Sequence, residues 1–250
     1  MTIGIICAMN EEINLLQQDI TAHHVTTIAG RDFHVGTLYG MSVVLVTGRI
    51  GKVAAGVTAA LLIHHFQVDK IIFSGTAGGV NPDLNVGDAV VADKSVQHDF
   101  KLPWGDAFRI PLLEVSYMES DHELTTLAKQ AVQDYIDMRM MQDIPQTYLD
   151  AFHIRNPKVV TGTIASGDEF VCTKEKNQWL YEHVDNIQCV EMEGAAVAQV
   201  CLEFSVPFTI IRIISDCAND DASVDFDLFI EEAACHFTKG VVKALLERLA

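Results

Sequence analysis

Three short runs dense in isoleucine limit what this chain can fold into: residues 2–7 (TIGIIC), 70–74 (KIIFS) and 208–214 (FTIIRII). β-Branched side chains lose rotamer freedom in a helix and pack well on a pleated surface, so such runs read as buried strands. Segments with helical spacing lie between them. Residues 10–20 carry Ile13, Leu15, Leu16 and Ile20 behind a possible N-cap at Asn10. Residues 53–66 form a small-residue, largely apolar helix, and residues 121–139 an amphipathic one capped at Ser120 or Asp121. Further helices are expected at 173–183, 194–204 and 225–249, and further strands at 33–38, 42–47, 86–92 and 158–165. Tyr39-Gly40 gives a hairpin signal between two of these strands. Strands alternating with helices predict an α/β fold with a central mixed β-sheet flanked by helices. No Pro/Gly/Ser linker and no internal repeat divides the 250 residues, so a single domain over 1–250 is expected. Residues 98–120 read as a long loop region, and the Met-rich stretch 138–156 as irregular and peripheral.

Charge narrows the partners. The chain has 17 basic and 34 acidic residues, a formal net charge of −17. Nucleic acid and anionic membranes need clustered Lys and Arg, so neither is expected as a partner. A neutral nucleoside, which asks for hydrogen bonds, remains compatible. No basic, cleavable leader and no uncharged run of about 18 residues is present, so neither export nor a membrane span is expected. The six cysteines are scattered without a CxxC and read as thiols of a cytoplasmic protein. The ten histidines show neither HxxxH nor HExxH, so no metal site is expected, and no cofactor.

Carboxylates gather at element ends within residues 189–216, CVEMEGAAVAQVCLEFSVPFTIIRIISD. Junctions of this kind are where chemistry collects in α/β sheets. Glu191 and Glu193, two apart on an extended segment, stand between Val190 and the GAAVA run. A carboxylate there must be paired or hydrogen-bonded, and an ion pair with Arg212 and a functional role are both open. Asp216 ends the third isoleucine run, where it is either a helix cap or a working acid. Glu11 and Glu12 follow the first strand, and on composition they read as a solvated helix N-terminus. GTAGG at 75–79 is not a GxGxxG loop, and taken alone it reads as a tight turn.

The order of the motifs carries more than any one of them. GIICAMNEE at 4–12, GRIGK at 48–52, GTAGG at 75–79, VGD at 86–88, SGDEF at 166–170, VEMEGAA at 190–196 and RIISD at 212–216 together resemble one family. It is the 5′-methylthioadenosine/S-adenosylhomocysteine nucleosidases of the purine and uridine phosphorylase superfamily. The resemblance implies a nucleoside phosphorylase-like domain, usually a homodimer, that takes a small nucleoside and water. It implies Glu12 as the base for the water, Asp216 as the acid that protonates adenine N7, and Met192 and Glu193 as ribose ligands, with Glu191 counted among the substrate-binding residues. Phe170 would stack on adenine and the Val171 backbone would read its edge. Thr76, Ala77 and Gly78 would line the floor, with Arg212 and Ser215 supporting the acidic groups. Related readings are cleavage of aminofutalosine or 5′-deoxyadenosine, and a nucleoside-binding protein without turnover. Phosphate as nucleophile needs a cationic cradle, whereas the first loop offers Met9-Asn10-Glu11-Glu12, so water is the expected nucleophile.

Overall fold

The computed structural model describes residues 1–7, 9–10, 12–111, 113–216 and 229–250. Its strands are β1 (Thr2–Cys7), β2 (Thr21–Ile28), β3 (Arg31–Leu38), β4 (Met41–Thr47), β5 (Lys70–Gly79), β6 (Ala89–Gln97), β7 (Tyr117–Glu119), β8 (Val159–Ser166), β9 (Ile187–Glu191) and β10 (Phe208–Asp216). The helices are α1 (Asn14–Gln17), α2 (Lys52–His64), α3 (His122–Tyr135), α4 (Met141–Asp143), α5 (Gln146–Ala151), α6 (Lys174–His183), α7 (Gly194–Phe204) and α8 (Cys235–Leu249). The three isoleucine runs are β1, β5 and β10, and they pair side by side in parallel, β1 with β5 and β5 with β10. Every residue of β10 is buried, as expected of a strand covered on both faces.

The sheet is mixed. β1 also pairs in parallel with β4, and β4, β3 and β2 follow as antiparallel neighbours out to an exposed edge. On the other side β10 pairs with β6, β6 with β8, β8 with β9, and β9 returns to β5, so these five strands close on themselves. One apolar core, including Leu16, Val132 and Leu245, packs α1, α3 and α8 on one face. A second, including Ala59, Leu62 and Ala198, packs α2 and α7 on the other. Among the described residues no helix is long and apolar enough to cross a membrane.

Several expectations need correction. GTAGG is not a turn: β5 runs on through Gly79, because Gly75 to Gly78 pair with β10 and Gly78 and Gly79 with β9. The first helix is one short turn, Asn14–Gln17, capped at Ile13, and Asn10 instead accepts backbone bonds from Ile13 and Asn14 at 3.2 and 3.1 Å. Residues 138–156 are not peripheral, since Met140, Ile144, Leu149 and Ile154 reach the core with at most 2% exposure. A π-helical segment, Ile136–Met140, carries α3 into that region. Strand β2 went unforeseen because its His- and Thr-rich sequence has no apolar face and lies exposed. The expected start of the last helix at Asp225 lies outside the described residues; there the last helix follows a π-helical segment, Ile230–Ala234. Asp88 of the VGD motif has a structural task, accepting the backbone N–H groups of Asn85 and Lys158 at 2.9 Å each.

Candidate active site

Because β1, β5 and β10 run parallel, their C-terminal ends open on the same edge of the sheet, where ligands of open α/β sheets bind. A cleft opens there. Thr76, Ala77 and Gly78 of β5 line it, as do Phe170 and Val171 after β8. Glu191, Met192 and Glu193 line it from the β9–α7 junction, with Arg212 and Asp216 from β10 and Glu12 from the segment after β1. Of the predicted site residues only Ser215 is not part of this lining. Its hydroxyl lies beneath, donating to Asp216 Oδ2 at 2.8 Å.

Glu12 corrects the compositional reading. It is 1% exposed rather than solvated. Its Oε1 accepts the Thr76 N–H at 3.1 Å and its Oε2 the Met9 N–H at 3.0 Å. A Cβ at Gly75 would lie 2.8 Å from Oε1, so a larger residue there would displace the Glu12 carboxylate from its present position. Asp216 owes its direction to an irregularity of the strand. Register shifts between Ile214 and Asp216, leaving Ser215 as the extra residue and setting Asp216 opposite Gly78. Bulges of this kind re-aim a side chain beside a site.

Glu191 is fully engaged within the protein. Arg212 Nη2 donates to Oε2 at 2.7 Å, and the Glu193 and Gly194 N–H groups donate at 3.1 and 2.7 Å. The Ser166 hydroxyl donates to Oε1. The ion-pair reading therefore describes its contacts, and its oxygens have little capacity left for a ligand. Arg212 is 1% exposed, stacks 4.0 Å from the Phe73 ring and donates to the Ile211 carbonyl at 3.1 Å. Burial would lower the pKa of this guanidinium, but the Glu191 carboxylate outweighs it and holds the group charged.

Glu193 ends the β9–α7 junction with Oε1 accepting the Gly51 N–H at 2.7 Å. Burial pushes its carboxyl up from the usual 4.5 to about 8, and the neighbouring Glu191 adds to this. The Gly51 bond and Arg212 offset part of it. Next to Gly51, Lys52 Nζ meets Asp99 at 2.5 Å and Asp168 at 3.5 Å, while the Asp168 N–H donates to Asp99 at 2.8 Å. This knot ties the loop after β4 to those after β6 and β8, and so fixes Phe170 relative to Glu193. Ser166, Gly51 and Lys52 fall inside the SGDEF and GRIGK motifs without a role assigned to them, and Asp99 is not singled out by the sequence. Ser166 acts through a hydrogen bond to Glu191, Gly51 through its backbone, and Lys52 and Asp99 through an ion pair between distant loops. Sequence reasoning also passed over Met9, Ile50 and Glu169, which complete the cleft wall.

The cleft thus brings together five carboxylates, Glu169 among them, and, among its described lining, one cation, whose charge Glu191 already answers. The arrangement suits a reaction that develops positive charge next to a carboxylate and needs both an acid and a base.

Comparison with known proteins agrees. The profile of the Phosphorylase superfamily matches residues 2–247. A 5′-methylthioadenosine/S-adenosylhomocysteine nucleosidase of Bacillus cytotoxicus is 35% identical over 252 residues, covering 99% of each chain. The structure of the nucleosidase of that name from S. pneumoniae, with the transition-state inhibitor MT-ImmA, superposes with a TM-score of 0.84 at 34% identity over 100% of both chains. The native structure of futalosine hydrolase from Helicobacter pylori also superposes, with a TM-score of 0.83 at 33% identity over 99% of this chain and 98% of that one.

The raised Glu193 carboxyl makes a prediction about stability. A buried carboxyl that resists ionisation holds a proton the unfolded chain has released, so folding stability falls as pH rises from 4.5 towards about 8. Glu193→Gln removes that loss. The variant should be more stable than the parent at pH 8 by about 1–3 kcal/mol and nearly equal to it at pH 5. Thermal unfolding at both pH values measures this, and a Tm gain of the same size at pH 5 would contradict the burial argument.

Proposed function

The chain belongs to the Phosphorylase superfamily and, within it, to the 5′-methylthioadenosine/S-adenosylhomocysteine nucleosidases, and from that premise we propose that it hydrolyses the N-glycosidic bond of both nucleosides. The products are adenine and 5′-methylthioribose or S-ribosylhomocysteine. The observation that carries this reading is the placement of Glu12 and Asp216 at the ends of β1 and β10, on either side of β5. Glu193 faces the same cleft.

In this reading Asp216, oriented by Ser215, donates a proton to adenine N7, so that the base leaves neutral. A placed general acid contributes about 10²–10⁴ in rate. The bond breaks through an oxocarbenium-like state while Glu193 holds the ribose hydroxyls by hydrogen bonds. Glu12 orients water on the opposite ring face and takes its proton. Phe170 and Val171 meet the base, with Thr76, Ala77 and Gly78 beneath it. Arg212 keeps Glu191, and through it the Glu193 backbone, in place.

Water rather than phosphate is favoured by charge. Arg212 is the only cation in the described lining, it is committed to Glu191, and Glu12 would repel an anion. Release of adenine from methylthioadenosine should proceed at the same rate with and without phosphate. A phosphate requirement, with a ribose-1-phosphate product, would overturn the hydrolase reading.

Asp216→Asn should still bind substrate while kcat falls by about 10²-fold or more. Equilibrium binding and turnover measured on the same preparation check this, and near-normal kcat would remove Asp216 from the acid role.

A homodimer fits the surface beside the cleft. Ile50, Val53 and Val57 are 60%, 81% and 41% exposed, with Val53 and Val57 one turn apart on α2. An apolar surface of this kind is a candidate for burial by a partner. Sedimentation equilibrium should give the mass of two chains, and a monomer across the micromolar range would refute the dimer. The buried thiols Cys7, Cys189 and Cys201 are free, which fits the reducing cytoplasm.

A further inference from the structure

A second cleft adjoins the first and differs from it in chemistry. Its walls are polar, with Asn10, Gln17, Arg31, Asp32, His34 and Arg49 among them. Two arginines in one concavity stand out in a chain with a formal charge of −17. Met9 and Ile50 line the first cleft, and their chain neighbours Asn10 and Arg49 line the second. Successive Cα atoms lie about 3.8 Å apart, so two pairs of adjacent residues border both clefts.

The two arginines are not equivalent. Arg31 is buried and committed: Nε donates to Thr58 at 2.7 Å, Nη1 to the Ala29 carbonyl at 3.0 Å and Nη2 to the Ala54 carbonyl at 3.1 Å. Arg49 is exposed and hydrogen-bonds to the Gly30 carbonyl through Nη2. A guanidinium has five N–H donors, so most of its capacity faces the cleft and solvent. Its backbone is left-handed, with φ of 66°, an unusual state for a residue with a side chain and one that clusters at ligand sites. Burial, and then the nearby Arg49 charge, lower the Arg31 pKa, so the two cations repel and an anion between them would relieve both.

We propose that Arg49 and the polar cleft it borders bind the carboxylate of the amino-acid tail of S-adenosylhomocysteine. This rests on the nucleosidase reading above. A methylthio group directed at that boundary would meet apolar Met9 and Ile50. The longer tail must continue past them, and the carboxylates of the first cleft would repel its carboxylate. The second cleft offers a cation within reach of the exit, and Asp32 on its wall suits the tail's ammonium group. Arg49 is then a specificity residue for the 5′-substituent, acting on one substrate and not on the other.

The test uses Arg49→Gly, which removes the guanidinium and suits the left-handed backbone, together with Arg49→Lys. kcat/KM is measured for methylthioadenosine, S-adenosylhomocysteine and 5′-(3-aminopropylthio)-5′-deoxyadenosine, which keeps the ammonium and lacks the carboxylate. In Arg49→Gly the ratio of methylthioadenosine to adenosylhomocysteine should rise about tenfold, with Arg49→Lys recovering part of it. The decarboxylated analogue should follow methylthioadenosine. A ratio that stays within about twofold, or an analogue that falls as far as adenosylhomocysteine, overturns the subsite and leaves the nucleosidase reading intact. A parent protein that cleaves none of the three overturns both.

Discussion

Glu191 and Arg212 lie 2.7 Å apart in the interior, their side chains 4% and 1% exposed. Withdrawing two such charges from water costs several kcal/mol per ion, and further contacts support each charge, although Arg212 Nε has no hydrogen-bond partner among the described residues. Ser166 and the N–H groups of Glu193 and Gly194 do this for the carboxylate, and the Phe73 ring and the Ile211 carbonyl do it for the guanidinium. Removing either partner strands the other, at a cost of about 3–5 kcal/mol. The contact therefore welds the β9–α7 junction to β10 and holds the start of α7. Glu193 leaves that junction already aimed, and its carboxyl needs only the Gly51 N–H to be fixed.

The pair also sets the charge left over. With Glu191 answered by Arg212 and Glu169 by Lys176, Glu12, Glu193 and Asp216 remain in the cleft. Burial, and then the neighbouring Glu191, raise the Glu193 carboxyl, so the poorly solvated cleft disfavours ionisation there. A bound group that turns cationic as its bond breaks is what such a site best accommodates. Stability is given up locally for that fit, and the two cores on either side of the sheet supply it.

Most strands and helices were legible because their signals are local, whereas β2, with no apolar face, carries none. The isoleucine runs needed no partner to be recognised, and Asp121 and Thr173 cap their helices by accepting bonds from Leu124 and Lys176. The failures are non-local. GTAGG looks like a turn until β9 and β10 are there to pair with it, and Glu12 looks solvated until Thr76 and Gly75 enclose it. Residues 138–156 gave no clear period because the π-helical segment at 136–140 breaks the 3.6-residue repeat while their apolar side chains still find the core. The grouping of Glu12, Glu193 and Asp216 came from the resemblance, since strand order, not sequence spacing, brings them together.

The empty Cβ position at Gly75 has an evolutionary consequence. Even a methyl group there would press on Glu12 Oε1, while β5 would keep its backbone pairing with β10. Alanine at this position would thus spare the fold and displace the carboxylate. Positions 12 and 75 are therefore epistatic. A lineage that replaced its nucleophile would first have to shorten the side chain at 12, and only then could β5 accept a larger residue. Taken in the opposite order, the path crosses a folded intermediate with a displaced Glu12 carboxylate, so this corner of the cleft is constrained by a residue that has no side chain of its own.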